Sequence, residues 1–332
     1  MAGLDVLLIG GSGVISAACS RATIEAGHRL TLLRRGTPDV RSVPDAAEVV
    51  TADVRSQDQV RAALHGRDFD VVVDFLVFEP EHARADLELF SGRLGQYVFI
   101  SSASAYQTPP ERLPILESTP LRNPFSAYSS SKIACEEVLV EAYRADGFPA
   151  TIVRPSHTYD ATHVPLHGGW TDVVRMRQGK PVFVHGDGTS LWTLTYHEDF
   201  ARAFARLLGH PQAIGDSFHI TSDEVLTWNQ VYRAVAAAAG VAEPHLVHVP
   251  STRIAVVEPE LSAPLLGDKT HSMVFDNSKI KSLLPGWTAT VPFAVGAREI
   301  VEWHDADPAR PVVDVRHDRL SDTLTPDWAS PA

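Results

Sequence analysis

The sequence predicts a doubly wound α/β fold: a parallel sheet covered by helices on both faces, followed by a smaller C-terminal domain. Three observations predict it. Short apolar runs alternate with helical stretches through the first half of the chain. The first of these runs ends in a cluster of glycines at the start of a helix. The 332 residues, 44% of them hydrophobic, are enough for about two structural units with a sizeable core.

In chain order, DVLLIG at 5–10 is an apolar run ended by glycines, and a helical stretch follows over 16–26. Strands are expected at 29–35, 47–54 and 69–77, a helix at 81–94, and a fifth strand at 96–104. A helix at 128–146 and a strand at 150–155 complete the regular half. Beyond it the pattern loosens. Residues 165–169 and 182–188 read as loops, while 197–208 and 228–239 read as helices. The organisation expected is a dinucleotide-binding domain over 1–160 and a second domain over 161–305, some of whose segments return to the first sheet. The Asp- and Pro-rich stretch 306–332 is expected to be a loosely packed tail.

Composition excludes several roles. With 29 Lys+Arg against 41 Asp+Glu, the net charge of −12 argues against nucleic acid or an anionic membrane as partner, since both need a basic footprint. No run reaches the roughly 20 apolar residues of a membrane span. The N-terminus lacks the charged segment of a signal peptide, and two cysteines make no disulfide framework, which fits a reducing cytoplasm.

The glycine cluster reads Gly10-Gly11-Ser12-Gly13-Val14-Ile15-Ser16. Glycine lets the chain turn tightly and lets backbone N–H groups approach a pyrophosphate at a helix N-terminus. At the end of the second strand an acid would bind a ribose 2′-hydroxyl, whereas arginine suits a 2′-phosphate. The chain has Arg34-Arg35 and no acid before Asp39, which favours NADP over NAD; two surface arginines beside NAD are the alternative. Asp53, closing the third strand, suits an adenine amino group, or else simply caps a helix.

Tyr128 and Lys132 fall at i and i+4 on one helical face. A tyrosine with pKa near 10 is a poor base unless a cation stabilises its phenolate, and the lysine is placed to supply that field. Ser102, at the C-terminal end of the fifth strand, lies where parallel-sheet sites gather and can orient a substrate oxygen.

These residues, with FISSASAY, YSSSK, IVRP, HGDGTSLWTLTYHEDFARAF and FDNSKIKSLLPGW, resemble the extended short-chain dehydrogenase/reductase family, the NAD-dependent epimerases and dehydratases, over residues 5 to 303. The resemblance implies a Rossmann domain with a substrate-binding C-terminal domain, and Ser102, Tyr128 and Lys132 as catalytic residues. It implies a cofactor lined by Gly10, Ser12, Gly13, Val14, Ile15, Arg34, Arg35, Asp53, Val54, Phe75, Leu76, Lys132 and Pro155. It also implies a homodimer through the helices at 81–94 and 128–146.

Three positions depart from the family pattern. Ala103 and Ser104 replace the Asp-Glu pair of the dehydratases, which removes their acid/base pair for water loss. Trp192 replaces an arginine that clamps a substrate diphosphate, although Arg175 or Arg177 could substitute. His157 replaces an asparagine that touches substrate, and could donate to a substrate oxygen or act as an acid/base. Ser104, His157 and Trp192 are therefore the candidate substrate contacts. His163 and His167 have Pro165 between them and the chain has no HExxH motif, so no metal is expected. The expected function is hydride transfer at a secondary alcohol or ketone of a sugar, sugar nucleotide or similar small molecule by an enzyme of the epimerase type. The alternatives are an NADPH-dependent ketoreductase or dehydrogenase on a non-nucleotide molecule and, more remotely, a non-catalytic nucleotide-dependent binding protein.

Overall fold

The computed structural model describes residues 3–36 and 41–326. Asp39, the acid that bounds the Arg34-Arg35 argument, and the end of the tail at 327–332 lie outside the described residues.

The first half forms β1 (Asp5–Ile9), α1 (Val14–Glu25), β2 (Arg29–Arg34), β3 (Glu48–Thr51), α2 (Gln57–Ala63), β4 (Val71–Asp74), α3 (Pro80–Phe90), β5 (Gln96–Ile100), α4 (Ala127–Asp146) and β6 (Ala150–Pro155). These strands and β11 (Ser217–Ile220) make a seven-stranded sheet in the order β11-β6-β5-β4-β1-β2-β3. Every neighbouring pair in it is parallel. Val6, Leu7 and Leu8 of β1 and Val71, Val72 and Val73 of β4 are fully buried, because helices cover both faces of a doubly wound sheet. The chain runs from β1 outward to β3, then returns to β4 on the other side of β1. That reversal opens a crevice at the carboxyl ends of β1 and β4, the topological switch point.

α4 carries the Tyr128–Lys132 face. It starts where the Ser126 hydroxyl accepts from the Ser129 N–H at 3.2 Å, and stops at Gly147, whose φ of 69° is the left-handed geometry of a helix end. The helix is tied to the sheet by a buried, two-pronged ion pair. Arg154 on β6 donates from Nε and Nη2 to the Glu136 carboxylate at 2.9 and 2.6 Å, and Ser101, just past β5, donates to the same carboxylate.

The second lobe contains β7 (His157–Tyr159), α5 (Trp170–Arg177), β8 (Val182–His185), β9 (Leu191–Trp192), β10 (Leu194–Tyr196), α6 (His197–Leu207), β12 (Leu226–Thr227), α7 (Trp228–Ala238) and β13 (Leu246–Val249). Helices α8 (Ser251–Val257), α9 (Ser262–Pro264), α10 (Ser278–Leu283), α11 (Phe293–Asp305) and α12 (Val315–Leu324) follow. Its core packs Trp170, Trp192, Trp228, Tyr232 and Phe293 together, apart from the two apolar layers that flank the main sheet. α6 and β11 pack with the first sheet. Among the described residues no helix is long and apolar enough to cross a membrane.

Two expectations are corrected. Residues 182–188 were expected to be a loop, but Val182–His185 is a strand, paired in parallel with β13. Four residues between Pro181 and the Gly186-Asp187-Gly188 turn, three of them apolar, are too few to show a period, and 60 residues separate them from the partner strand. The tail is not loose as far as Leu324. Asp314 caps α12 by accepting from the Arg316 and His317 N–H groups, and Leu320 and Leu324 enter an apolar cluster with Phe183 and Ile254. The acids of this tail are partners for buried groups rather than marks of solvation: Arg175 pairs with Asp318 and with Asp322, the latter at 2.8 Å.

Removing one member of a buried ion pair leaves the other charge uncompensated, which costs about 3–5 kcal/mol. Glu136→Ala should therefore destabilise the protein by roughly that amount in denaturant unfolding, while exchange of an exposed acid such as Glu141 changes stability little.

Candidate active site

The crevice between β1 and β4 is a cavity of about 460 Å³, lined by Gly10, Ser12, Gly13, Ile15, Arg34, Arg35, Val54, Phe75, Leu76, Lys132 and Pro155 among others. Gly10 has φ 89°, and a Cβ there would stand 2.6 Å from Leu76 Cγ, so both conformation and space require glycine. Gly13 donates its N–H to the Ser16 hydroxyl at 2.7 Å, opening α1 with its N-terminus on the crevice. A glycine turn at a helix N-terminus with two arginines at the end of β2 fits a dinucleotide phosphate: the helix end would take the pyrophosphate and Arg34-Arg35 a 2′-phosphate. Two sequence expectations are displaced. Val14 lines the neighbouring cavity instead. Asp53 is exposed and outside this lining, because its carboxylate turns back to accept from the Arg55 N–H at 3.0 Å. Phe78, partly exposed on the cavity wall, was not foreseen; it lies in irregular chain after β4, without a motif.

Ser102, Tyr128, Pro155, Ser156 and Thr158 belong to this crevice and also to a second cavity of about 470 Å³. The structure thus brings Ser102 and Tyr128 to the boundary between two spaces. Ser102 Oγ is 2.9 Å from Ser104 Oγ, which also accepts from the Ser129 hydroxyl at 2.9 Å, so three hydroxyls form a chain beside the tyrosine. Tyr128 is 48% exposed to the cleft, within reach of a ligand. Its phenol is pushed above its usual pKa by the desolvating surroundings, and the hydrogen bond with Ser102 opposes that push.

The expectation that Lys132 lowers the tyrosine pKa is not met in this arrangement. The buried ammonium donates to the carbonyls of Val77 at 2.6 Å and Ile100 at 2.8 Å, and stands 5.8 Å from the Tyr128 ring centre. Its own pKa is brought down to about 8 by burial. In SSSK the spacing placed both residues on one face, but it carried no information about the two carbonyls that hold the lysine.

The second cavity includes Ser104, His157 and Trp192, the three candidate substrate contacts, with Ala263, Pro264, Met273 and Phe275 on its apolar side. Burial holds His157 well below its ordinary pKa, so it faces the cavity as a neutral imidazole and not as an acid. Trp192 is both cavity wall and core, packing 5.4 Å from Trp228. Neither proposed substitute for its missing positive charge reaches this site. Arg175 is buried against Pro181 O and the α12 acids, and Arg177 makes a two-pronged pair with Asp305. Sequence reasoning missed Asn123 and Asp268. Buried Asn123 bridges the carbonyls of Ser104 at 2.8 Å and Gly267 at 2.7 Å, and Asp268 lines the cavity. Both lie in irregular segments with neither period nor motif.

A dinucleotide crevice that meets a separate cavity at a Ser/Tyr/Lys cluster defines the nicotinamide-dependent dehydrogenase class of Rossmann folds. Within it, residues 6–221 match the NAD dependent epimerase/dehydratase family, and the chain belongs to that family. It is 29% identical over 255 residues to a chloroplast stem-loop binding protein of 41 kDa from Arabidopsis thaliana, covering 73% of this chain and 65% of that protein. It is 27% identical over 243 residues to a 2'-dehydrokanamycin reductase from Streptomyces kanamyceticus, covering 71% of this chain and 67% of that one. A UDP-glucose 4-epimerase from Streptomyces lividans is 30% identical over 213 residues, covering 54% of this chain and 63% of that one. The chain thus spans about two thirds of the length of these relatives. Among solved structures, an epimerase from Methanothermobacter thermautotrophicus superposes with TM-score 0.76 at 16% identity, covering 93% and 94% of the two chains. A UDP-glucose 4-epimerase from Thermus thermophilus in complex with NAD gives 0.71 at 24%, covering 90% and 97%.

Because Gly10 is held at φ 89° against Leu76, Gly10→Ala should weaken dinucleotide binding by at least about tenfold, read by fluorescence titration, with the helical circular-dichroism signal retained.

Proposed function

We propose that this protein is an NADP-dependent oxidoreductase of the ketoreductase or dehydrogenase type, acting on a secondary alcohol or ketone of a polyhydroxylated small molecule without a nucleotide. One observation carries the choice: no lysine or arginine is among the described residues lining the substrate cavity, where a diphosphate would need one. The nicotinamide, when bound, supplies the hydride chemistry. Tyr128 holds or gives the proton at the substrate oxygen, and Ser102 orients that oxygen by hydrogen bonding. The hydroxyls of Ser104 and Ser129 keep Ser102 in place. Lys132 is assigned to the nicotinamide ribose. The epimerase reading uses the same residues and is favoured by the likeness to UDP-glucose 4-epimerases. A reductase consumes NADPH in proportion to product, whereas an epimerase recycles its nucleotide, so stoichiometric NADPH oxidation with free ketones and none with UDP-sugars supports the first. A binding role, suggested by the stem-loop binding relative, is disfavoured by the intact Ser102, Tyr128 and Lys132 and by the net charge of −12. Buried Cys19 and Cys135, both free thiols, are compatible with the cytoplasm as its compartment.

Tyr128→Phe should lower kcat by about 10²–10⁴-fold, the usual worth of a positioned acid/base, with NADPH affinity nearly unchanged. NADPH should bind more tightly than NADH by about tenfold or more, and Arg34→Asp should reverse the order in the same titration. We also assign a homodimer through the groove between α3 and α4, lined by Pro80, Leu87, Ala134, Val138 and Ala142. Light scattering should then report twice the chain mass of 36.1 kDa.

A further inference from the structure

Asp268 is the one charged side chain among the described residues of the substrate cavity. It sits in a wide, π-helical turn, Leu265–Lys269, held from both sides. On one side Asn123 donates to Gly267 O at 2.7 Å. On the other, Ser190 Oγ and His185 Nε2 each lie 2.9 Å from Lys269 O. Because a carbonyl only accepts, the His185 proton is on Nε2; its Nδ1 then accepts from His167 Nε2 at 2.8 Å. Burial brings the His185 pKa down to about 4, so this chain of bonds stays neutral. The position of Asp268 is therefore built into the lobe.

The carboxylate itself makes no hydrogen bond with a described residue. Its ion pair with Lys269 Nζ, at 3.9 Å, is too long to be one. Lys269 is not part of the cavity lining; its ammonium stands 5.7 Å from the centre of the Trp192 ring. An acid that is largely withdrawn from water and not hydrogen-bonded carries a desolvation cost that a ligand cation would relieve. Its charge also reaches Tyr128, whose ionisation it opposes, so a molecule spanning this cavity meets the acid/base hydroxyl and the carboxylate together.

We propose that Asp268 is the recognition group for a protonated amine, and that the substrate class is an amino-substituted polyhydroxylated alcohol or ketone, such as an amino sugar or aminocyclitol. The proposal rests on the oxidoreductase reading above and adds the charge of the substrate to it. The same carboxylate repels a sugar diphosphate, in keeping with a lining that lacks any cation to bind one.

The test uses the full chain loaded with NADPH and calorimetric titration with two amines, glucosamine and streptamine, against neutral N-acetylglucosamine and inositol, and against UDP-glucose. At least one amine should bind at least tenfold more tightly than its neutral counterpart and than UDP-glucose. Asp268→Asn, close to isosteric, should abolish that preference while leaving NADPH affinity intact, which confirms that the variant is folded. Burial raises the Asp268 carboxyl to about 6, with Lys269 opposing, so amine binding should weaken as the pH falls from 7 to 5, and lose that dependence in Asp268→Asn. Of the other titratable groups here, His157 and His163 are held below their ordinary range by burial, and Tyr128 is held above its own. The proposal is overturned if neither amine binds, if the neutral probes or UDP-glucose bind as tightly, or if Asp268→Asn keeps the preference. Failure of the oxidoreductase reading looks different: amine binding would persist with no NADPH-dependent turnover of any alcohol or ketone.

Discussion

The ion pair between Arg154 and Glu136 is the constraint on which the site depends. It joins β6 to α4 inside the protein, and Ser101 draws the end of β5 to the same carboxylate. Glu136 lies one turn beyond Lys132 and two beyond Tyr128, so the bond that fixes the helix also fixes the register of both. Ser102 follows Ser101 directly, and Pro155 follows Arg154. Tyr128 and Lys132 are thus within about two helical turns of Glu136, Pro155 is one peptide unit from Arg154, and Ser102 is one from Ser101, which joins the pair. Such a buried pair is a weak source of net stability, but losing either partner leaves the other charge buried and uncompensated, so it holds α4 in place on the sheet.

Around that anchor the protein separates two spaces by their charge. The crevice at the switch point collects glycine N–H groups, a helix N-terminus and two arginines, all suited to phosphate. The adjoining cavity has serines on one side, apolar and aromatic residues elsewhere, and a single carboxylate. Ser102 and Tyr128 belong to both, which puts these two hydroxyls at the junction of the two spaces. The chain resembles sugar-nucleotide epimerases in fold and family. No lysine or arginine is among the described residues lining the adjoining cavity: Trp192 fills the expected position, and Arg175 and Arg177 pair with acids of α12 and α11.

The doubly wound sheet was legible in the sequence because its strands are long apolar runs separated by helices, and because the glycine turn marks the first crossover. The substrate lobe was not, since its pairings are short and distant: Val182–His185 with Leu246–Val249, and Leu191–Trp192 with Leu226–Thr227. The acidic tail misled for a related reason. Asp318 and Asp322 look solvated until buried Arg175 is placed beside them. In the site, motif-borne residues were found and motif-free ones were not. Ser104, His157 and Trp192 fall together in one cavity, whereas Asn123 and Asp268, which shape that cavity, sit in segments without period. Spacing also overstated one pair: Tyr128 and Lys132 share a helical face, but the ammonium is held by the carbonyls of Val77 and Ile100.

A crystal structure of the protein grown with NADPH would show whether Tyr128 and Ser102 stand at the junction of a nucleotide crevice and a separate substrate cavity. The expected result is the adenosine phosphate on Arg34 and Arg35, the nicotinamide beside Ser102 and Tyr128, and Lys132 Nζ moved from the Val77 carbonyl to the nicotinamide ribose. A nucleotide lying in the Trp192–Asp268 cavity, or one whose nicotinamide points away from Tyr128, would contradict it.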